Sequence, residues 1–475
     1  MDFITIFEAL LRWGTLALVG GIIAGCILAC GYLLYKKVLK GRGEITRLQA
    51  VCAGLLCCWL LLVLGLTSLS RGANFTGSFN IDFLSGYISA WNNWSISELQ
   101  LILFNILMFV PLGFLLPLVW KRAEQFRITA LVSLAVTGSI EVFQFLTGTG
   151  IFELDDLFHN LLGSLFGYFC LMALLSLWRE RAFRFALIAK AFLIPAVIGL
   201  AVGSAFVLYA CQPYGNMSIL PAVKQDMSVV QIEANWTSSQ SPATASVYRS
   251  RYASDKDYLE QIKDGLKDLE GLTFRGPAHR EDENLGYMGT DANGTEFRLL
   301  FFFRTGEWNY TTFADSEPLS EQAVQELRSR YESWMQQQGL LPEQVEFSVQ
   351  NGNILRWDVP DTQNLATGSA SFQEGSVMLQ FDASGTLSDF FYQITWNEYV
   401  TTELILTKDE AFKQVQTGNF QQYVPFQPGD VLYVNECNLD YIYDTKAFYQ
   451  PVYQFSGYIN EPDNMWVCSI PAIAS

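Results

Sequence analysis

Six polar side chains interrupt otherwise apolar stretches of this chain: Asn105; Glu141 and Gln144; Asp155, Asp156 and Asn160. A carboxylate at mid-span costs roughly 2.5–3.5 kcal/mol on membrane-insertion scales, so such residues are seldom idle. Two kinds of chemistry suit them. Carboxyl groups shielded from water can have raised pKa values and work as a general acid/base pair, here Glu141 with Asp156. Acids and amides at a common depth can instead hold the polar head of an amphiphile.

Their spacing favours a common level. Glu141 and Gln144 stand i and i+3 on one helix face, and Asp156 and Asn160 share another at i and i+4. Glu141 lies about six residues from its helix end, roughly 9 Å at 1.5 Å per residue, and Asn105 lies at a similar depth. Each residue also has a plainer role. Asn105 can make one interhelical hydrogen bond, worth about 0.6–2 kcal/mol. Asp155 or Asp156 can cap the helix they open, leaving the other free. His159 adjoins Asn160 on a different face and reads as interfacial packing.

The elements that must position these residues are apolar runs near 9–34, 49–69, 100–120, 128–147, 157–178 and 189–210, which predict six transmembrane helices. The first run lacks a basic leader and is too long for a cleavable signal peptide. Pro111 removes a backbone donor and predicts a kink in the third helix. Gly163 and Gly167 have the small-residue spacing of a close helix contact.

The chain divides by charge. Residues 1–210 hold 14 basic and 11 acidic residues, whereas residues 211–475 hold 16 and 36. The second part is soluble and acidic, which excludes nucleic acid as a natural partner and gives no polybasic attraction to anionic lipid. Basic residues cluster in alternate short loops: Lys36, Lys37, Lys40, Arg42 and Arg47; Lys121, Arg122 and Arg127; Arg179, Arg181, Arg184 and Lys190. The opposite loops carry chiefly Arg71. With six spans, this bias predicts both termini and the acidic domain outside the cell.

Nine cysteines and two histidines, His159 and His279, offer no zinc-type spacing, so neither a metal nor a cofactor is expected. Cys437 and Cys468 fall in two late strands, where a disulfide and a pair of free thiols are about equally plausible readings.

The expected architecture is an all-α polytopic bundle (1–210), a linker (211–245) and an acidic α+β region (246–475), the last divisible into 246–345 and 346–475. Helical patterns cover Tyr258–Asp268, Leu319–Gln338 and Lys408–Gln416. Alternating runs bracket a turn at Asn351-Gly352 and another at Ala383-Ser-Gly385, and further strands lie near 431–443, 448–459 and 465–473.

The order Asn105-x3-Phe109-x-Pro111-x-Gly113, then Glu141-x2-Gln144, then Asp155-Asp156-x3-Asn160-x2-Gly163-x3-Gly167 resembles the VanZ-like membrane proteins. The preceding Leu69-Ser-Arg71 and Asn80–Tyr87 segments resemble them too, and together the match spans about 50–178. Many members have an arginine shortly before the Asp-Asp pair, where this chain has Gly148-Thr-Gly150. The resemblance implies a bacterial cell-envelope protein, since the family is named after a protein linked to teicoplanin resistance. The stretch near Thr407–Val415, with Tyr449–Phe455, is loosely similar to extracellular PepSY- or YycI-type domains and brings no site residues.

Three readings follow. The favoured one is a non-enzymatic membrane protein that binds or handles an outer-leaflet lipid, lipophilic glycopeptide or cell-wall precursor at the polar level. The second is an intramembrane acid/base enzyme acting on a lipid-linked precursor, although no nucleophile accompanies the carboxylates. The third is a membrane-anchored extracellular sensor or regulator.

Overall fold

The computed structural model describes residues 3–38, 40, 44–69, 79–179, 181, 184–236, 243–280, 283–312, 318–360, 370–382 and 384–474. Arg42, Ser70, Arg71 and Ala383, named above, lie outside them. Two compact units form: Met1–Ala90 with Ser95–Gln212, and Trp91–Trp94 with Pro213–Ser475.

The first unit is helical: α1 (Phe3–Lys37), α2 (Arg47–Leu64), α3 (Ser85–Asn93, as far as Ala90), α4 (Ile96–Val119), α5 (Phe126–Thr147), α6 (Leu154–Arg179) and α7 (Phe185–Cys211). Among the described residues, five helices are long and apolar enough to cross a membrane: α2 with its extension to Ser68, α4, α5, α6 and α7. The first of the six expected spans falls within α1, whose described apolar run is the shorter Trp13–Ile23.

Helix α2 starts in a capping box between Thr46 and Gln49, and its last turn loosens into a π-helix over Gly65–Leu69. Helix α4 runs through both Pro111 and Pro117. The indole of Trp59 donates to the Met108 carbonyl at 2.7 Å, beside the Leu107 carbonyl that loses its helical donor at Pro111.

Helices α4 and α6 meet at glycine. A methyl group on Gly163 would overlap the backbone carbonyl of Ile106, one on Gly167 that of Val110, and one on Gly113 that of Ser164. The partner helix of the small-residue motif is therefore α4 of the same chain.

The second unit is α+β. An eight-stranded antiparallel sheet runs in the order Thr273–Arg280, Asn284–Thr290, Glu296–Phe302, Trp308–Thr311, Leu387–Tyr392, Ser376–Phe381, Ile354–Asp358, Glu346–Gln350. Helices α8 (Lys256–Glu270) and α9 (Glu321–Gln337) bury Ile262, Leu266, Tyr331 and Met335 against it. A seven-stranded sheet orders Phe372–Glu374, Thr395–Ile405, Ala243–Ser250, Phe448–Ile459, Val431–Tyr443 and Gln231–Ala234, with Met465–Pro471 paired to Phe448–Ile459. Helix α10 (Lys408–Gln416) packs Ala411 and Val415 on it. Strand Trp308–Thr311 pairs with Leu387–Tyr392, so residues 345 and 346 fall inside one sheet system rather than between two. The linker is expected to have some strand character, and within it Gln231–Ala234 is a strand, pairing in parallel with Val431–Val434.

Cys437 and Cys468 are buried free thiols, not a disulfide. Both sit opposite Phe455, one on each side of its strand. Two strand spacings separate them, about 9.6 Å, beyond the 4.4–6.8 Å between Cα atoms that a disulfide bridges.

Candidate functional site

The six polar residues gather where α5 ends and α6 begins, but they do not all bond to one another. Helix α5 stops at Gly148, whose φ of 67° is the left-handed cap that glycine adopts without strain. Gly148-Thr-Gly150 thus serves the turn, in place of the arginine expected from the family pattern. A short parallel pair, β1 (Phe79–Asn80) with β2 (Phe152–Glu153), then leads into α6.

Asp155 caps a helix other than its own. Its carboxylate accepts from the backbone N–H of Leu84 at 2.7 Å and of Gly86 at 3.0 Å, the first residues of α3. Leu84 stands at the N-cap position of α3 with φ 68° and has no side-chain acceptor, so Asp155 supplies the missing one. The expectation that Asp155 or Asp156 caps α6 gives way to this cap on α3, since α6 begins at Leu154 and both acids stand inside its first turn rather than at the N-cap.

Asp156 turns to α4. Its Oδ1 accepts from Asn105 Nδ2 at 2.7 Å, and the imidazole Nδ1 of His159 stands 3.9 Å from the same oxygen. The Asp156 side chain is 27% exposed, whereas that of His159 is 2% exposed. His159 Nε2 shares a 2.8 Å hydrogen bond with the Tyr87 hydroxyl on α3. Burial, then the charge of Asp155, pushes the Tyr87 phenol up to about 12, so it stays neutral.

The other three bond separately. Asn160 donates to Thr137 Oγ1 at 2.7 Å, while its own Oδ1, buried, has no hydrogen-bond partner. Glu141 is 2% exposed and accepts from the Glu153 backbone N–H at 3.3 Å. Gln144 donates to the Thr67 carbonyl at 3.0 Å, in the π-helical turn of α2. Asn105 and Asp156 therefore meet directly; Glu141 and Gln144 fasten α5 to its neighbours.

Sequence reasoning missed a polar seam along α5. Thr129, Ser133, Thr137 and Glu141 repeat every four residues, and all are buried. Ser133 shares a 2.6 Å hydrogen bond with Ser164 of α6. The fourfold repeat was the available signal. Sequence reasoning also took His159 for packing, though a buried histidine needs a polar partner, and Tyr87 provides it. Beside the seam, Phe79, Val142, Phe145 and Phe152 line an apolar hollow of about 160 Å³. Among the described residues, no group of three metal-ligating side chains occurs.

The residues that build this corner, Asn80 to Tyr87 on one side and Asn105 to Asn160 on the other, come from one stretch of chain. Residues 52–177 match the VanZ/LLP1 family model. The VanZ-like segment thus contains α3, α4 and α5 entire, nearly all of α6 and the larger part of α2. No curated protein matches the chain significantly. Among solved structures, an uncharacterized protein from Eubacterium rectale is similar at 14% identity, covering 52% of this chain and 88% of its own, with a TM-score of 0.22.

Proposed function

We propose that this is a multi-pass bacterial envelope protein whose VanZ-like bundle binds or handles the polar head of an outer-leaflet amphiphile, such as an envelope lipid, a lipophilic glycopeptide or a cell-wall precursor. The single observation that carries this reading is the Asn105–Asp156 bond between α4 and α6, which leaves a carboxylate partly open near the start of α6. A carboxylate kept there without a purely structural set of partners is a functional residue by default. The apolar hollow lined by Phe79, Val142, Phe145 and Phe152 suits an acyl chain.

The basic loops after α1, between α4 and α5, and between α6 and α7 support an orientation with this corner, both termini and the acidic domain outside. A single-cysteine variant in the acidic domain, labelled by an impermeant maleimide on intact cells, tests it. The functional reading is tested by Asp156→Asn and Glu141→Gln: both should abolish any glycopeptide-resistance or other envelope phenotype while membrane insertion stays normal. Full phenotype in both variants overturns it.

A second reading, acid/base catalysis on a lipid-linked precursor, is favoured by one arrangement. Asp156, His159 and Tyr87 form a carboxylate–imidazole–phenol series, which suits proton transfer better than the Glu141–Asp156 pair. Conversion of a lipid-linked precursor by purified protein, lost in His159→Gln, would favour this reading over binding alone.

A further inference from the structure

We propose that the corner formed by Asp156, His159 and Asn160 is a subsite for a primary ammonium group. This rests on the reading above that the polar level is a ligand site. It adds the chemical class of head group that the level recognises.

Three acceptors without sufficient donors stand within five residues of α6. The first is the Asp156 carboxylate, which among the described residues has the Asn105 amide as its hydrogen-bond donor and no lysine or arginine beside it. The second is His159 Nδ1, buried without a hydrogen bond and 3.9 Å from that carboxylate. In the tautomer whose Nε2–H donates to the Tyr87 hydroxyl, Nδ1 presents a lone pair. The third is Asn160 Oδ1, also buried and unbonded, on the next turn below Asp156.

Buried polar atoms almost always have partners, so two orphans on the helix that carries a partly open carboxylate, one of them 3.9 Å from it, mark a place for a donor. An ammonium group carries one positive charge and three N–H donors, and no acceptor. It answers both the charge of Asp156 and the number of waiting acceptors. A phosphate brings acceptors and negative charge, the wrong complement for this corner. A quaternary ammonium brings charge alone.

The test uses the full-length chain in nanodiscs of phosphatidylcholine, with dodecylamine, dodecyltrimethylammonium and dodecanol as probes read by displacement of a fluorescent alkylamine. Dodecylamine should bind saturably and about tenfold more tightly than either analogue, the range a charge-assisted hydrogen bond supplies. Butylamine as a soluble competitor separates a free amine from a lipid head: displacement at similar concentration indicates the former. Asp156→Asn should reduce dodecylamine binding by a similar factor, and Asn160→Leu by less.

Equal binding of dodecylamine and its trimethyl analogue to the unaltered chain overturns the proposal without any variant having to fold. If dodecanol or an anionic amphiphile binds instead, and Asp156→Asn changes that binding, the ammonium assignment falls while the ligand site stands. If no probe's binding responds to Asp156→Asn or Glu141→Gln, the underlying site reading falls with it.

Discussion

Asp155 and Asp156 are adjacent in the chain, yet the first is consumed by the backbone of α3 and the second faces Asn105 of α4. Successive helical residues point about 100° apart, so one acidic pair serves two neighbours at once. The two acids thus have different kinds of partner, main chain for Asp155 and a side chain for Asp156.

That contrast also predicts different losses. Asp155→Ala removes a charged acceptor from two backbone donors that are then left without partners, at a cost of about 3 kcal/mol. Asp156→Asn keeps its shape and part of its hydrogen bonding, and should cost under about 1 kcal/mol. Thermal unfolding of the full chain in detergent checks this. A loss at Asp156 equal to that at Asp155 would show that both are structural.

Much of the second unit was open to sequence reasoning, because its signals are local. The turn at Asn351-Gly352 takes positive φ at both positions, 51° and 77°, as the Asn-Gly pair demands. Helices α8, α9 and α10 each begin after a capping Asp, Ser or Thr. The strands from Thr273 to Thr311 escaped notice for physical reasons. Pro277 sits among register shifts that break the alternation of the first, and Leu299 to Phe303 is a continuous apolar run rather than an alternating one. In the bundle, residue types pointed to the polar level, but pairing depended on helix rotation. Asn105 with Asp156 and Tyr87 with His159 are contacts across 51 and 72 residues, which no spacing rule encodes.

The two late cysteines give a chemical prediction. Burial pushes the Cys437 thiol up to about 11, against a smaller opposing effect from Lys408, and burial raises Cys468 further. Since the thiolate is the reactive form, at pH 8 Cys437 is ionised to roughly one part in a thousand. Both should resist iodoacetamide in the folded protein and react after unfolding. Non-reducing peptide mapping should find no Cys437–Cys468 bridge, and replacing both by serine should not bring the 2–5 kcal/mol loss of a native disulfide.

Glu270 at the end of α8 supplies a pH dependence. Burial raises its carboxyl pKa above the ordinary 4.5, opposed by the hydrogen bond from Tyr331 and the charge of Arg330. A raised folded value means the native state holds the proton more tightly than the unfolded chain. The stability it contributes is therefore complete below about pH 4.5 and lost as pH rises through the folded value. Within that window the slope is at most about 1.4 kcal/mol per pH unit. Denaturation followed by tryptophan fluorescence should show a flatter pH dependence in Glu270→Gln, and an unchanged slope would contradict the assignment.

The contact between α4 and α6 gives a test of packing that needs no ligand. An alanine at Gly163 would drive its methyl into the Ile106 carbonyl, and backbone on both helices leaves it nowhere to turn. Separating the helices would also stretch the Asn105–Asp156 bond, because both residues lie within two turns of that contact. Overpacking of this kind costs about 1–3 kcal/mol, and a clash with main chain belongs at the upper end. Gly199 on α7 is the control: a methyl there meets nothing within 4 Å, so Gly199→Ala should be neutral or slightly stabilising through helix propensity. Thermal unfolding of both variants should therefore differ by several degrees. Equal stability would mean that α4 and α6 are not held together at glycine, and the corner built on their approach would lose its support.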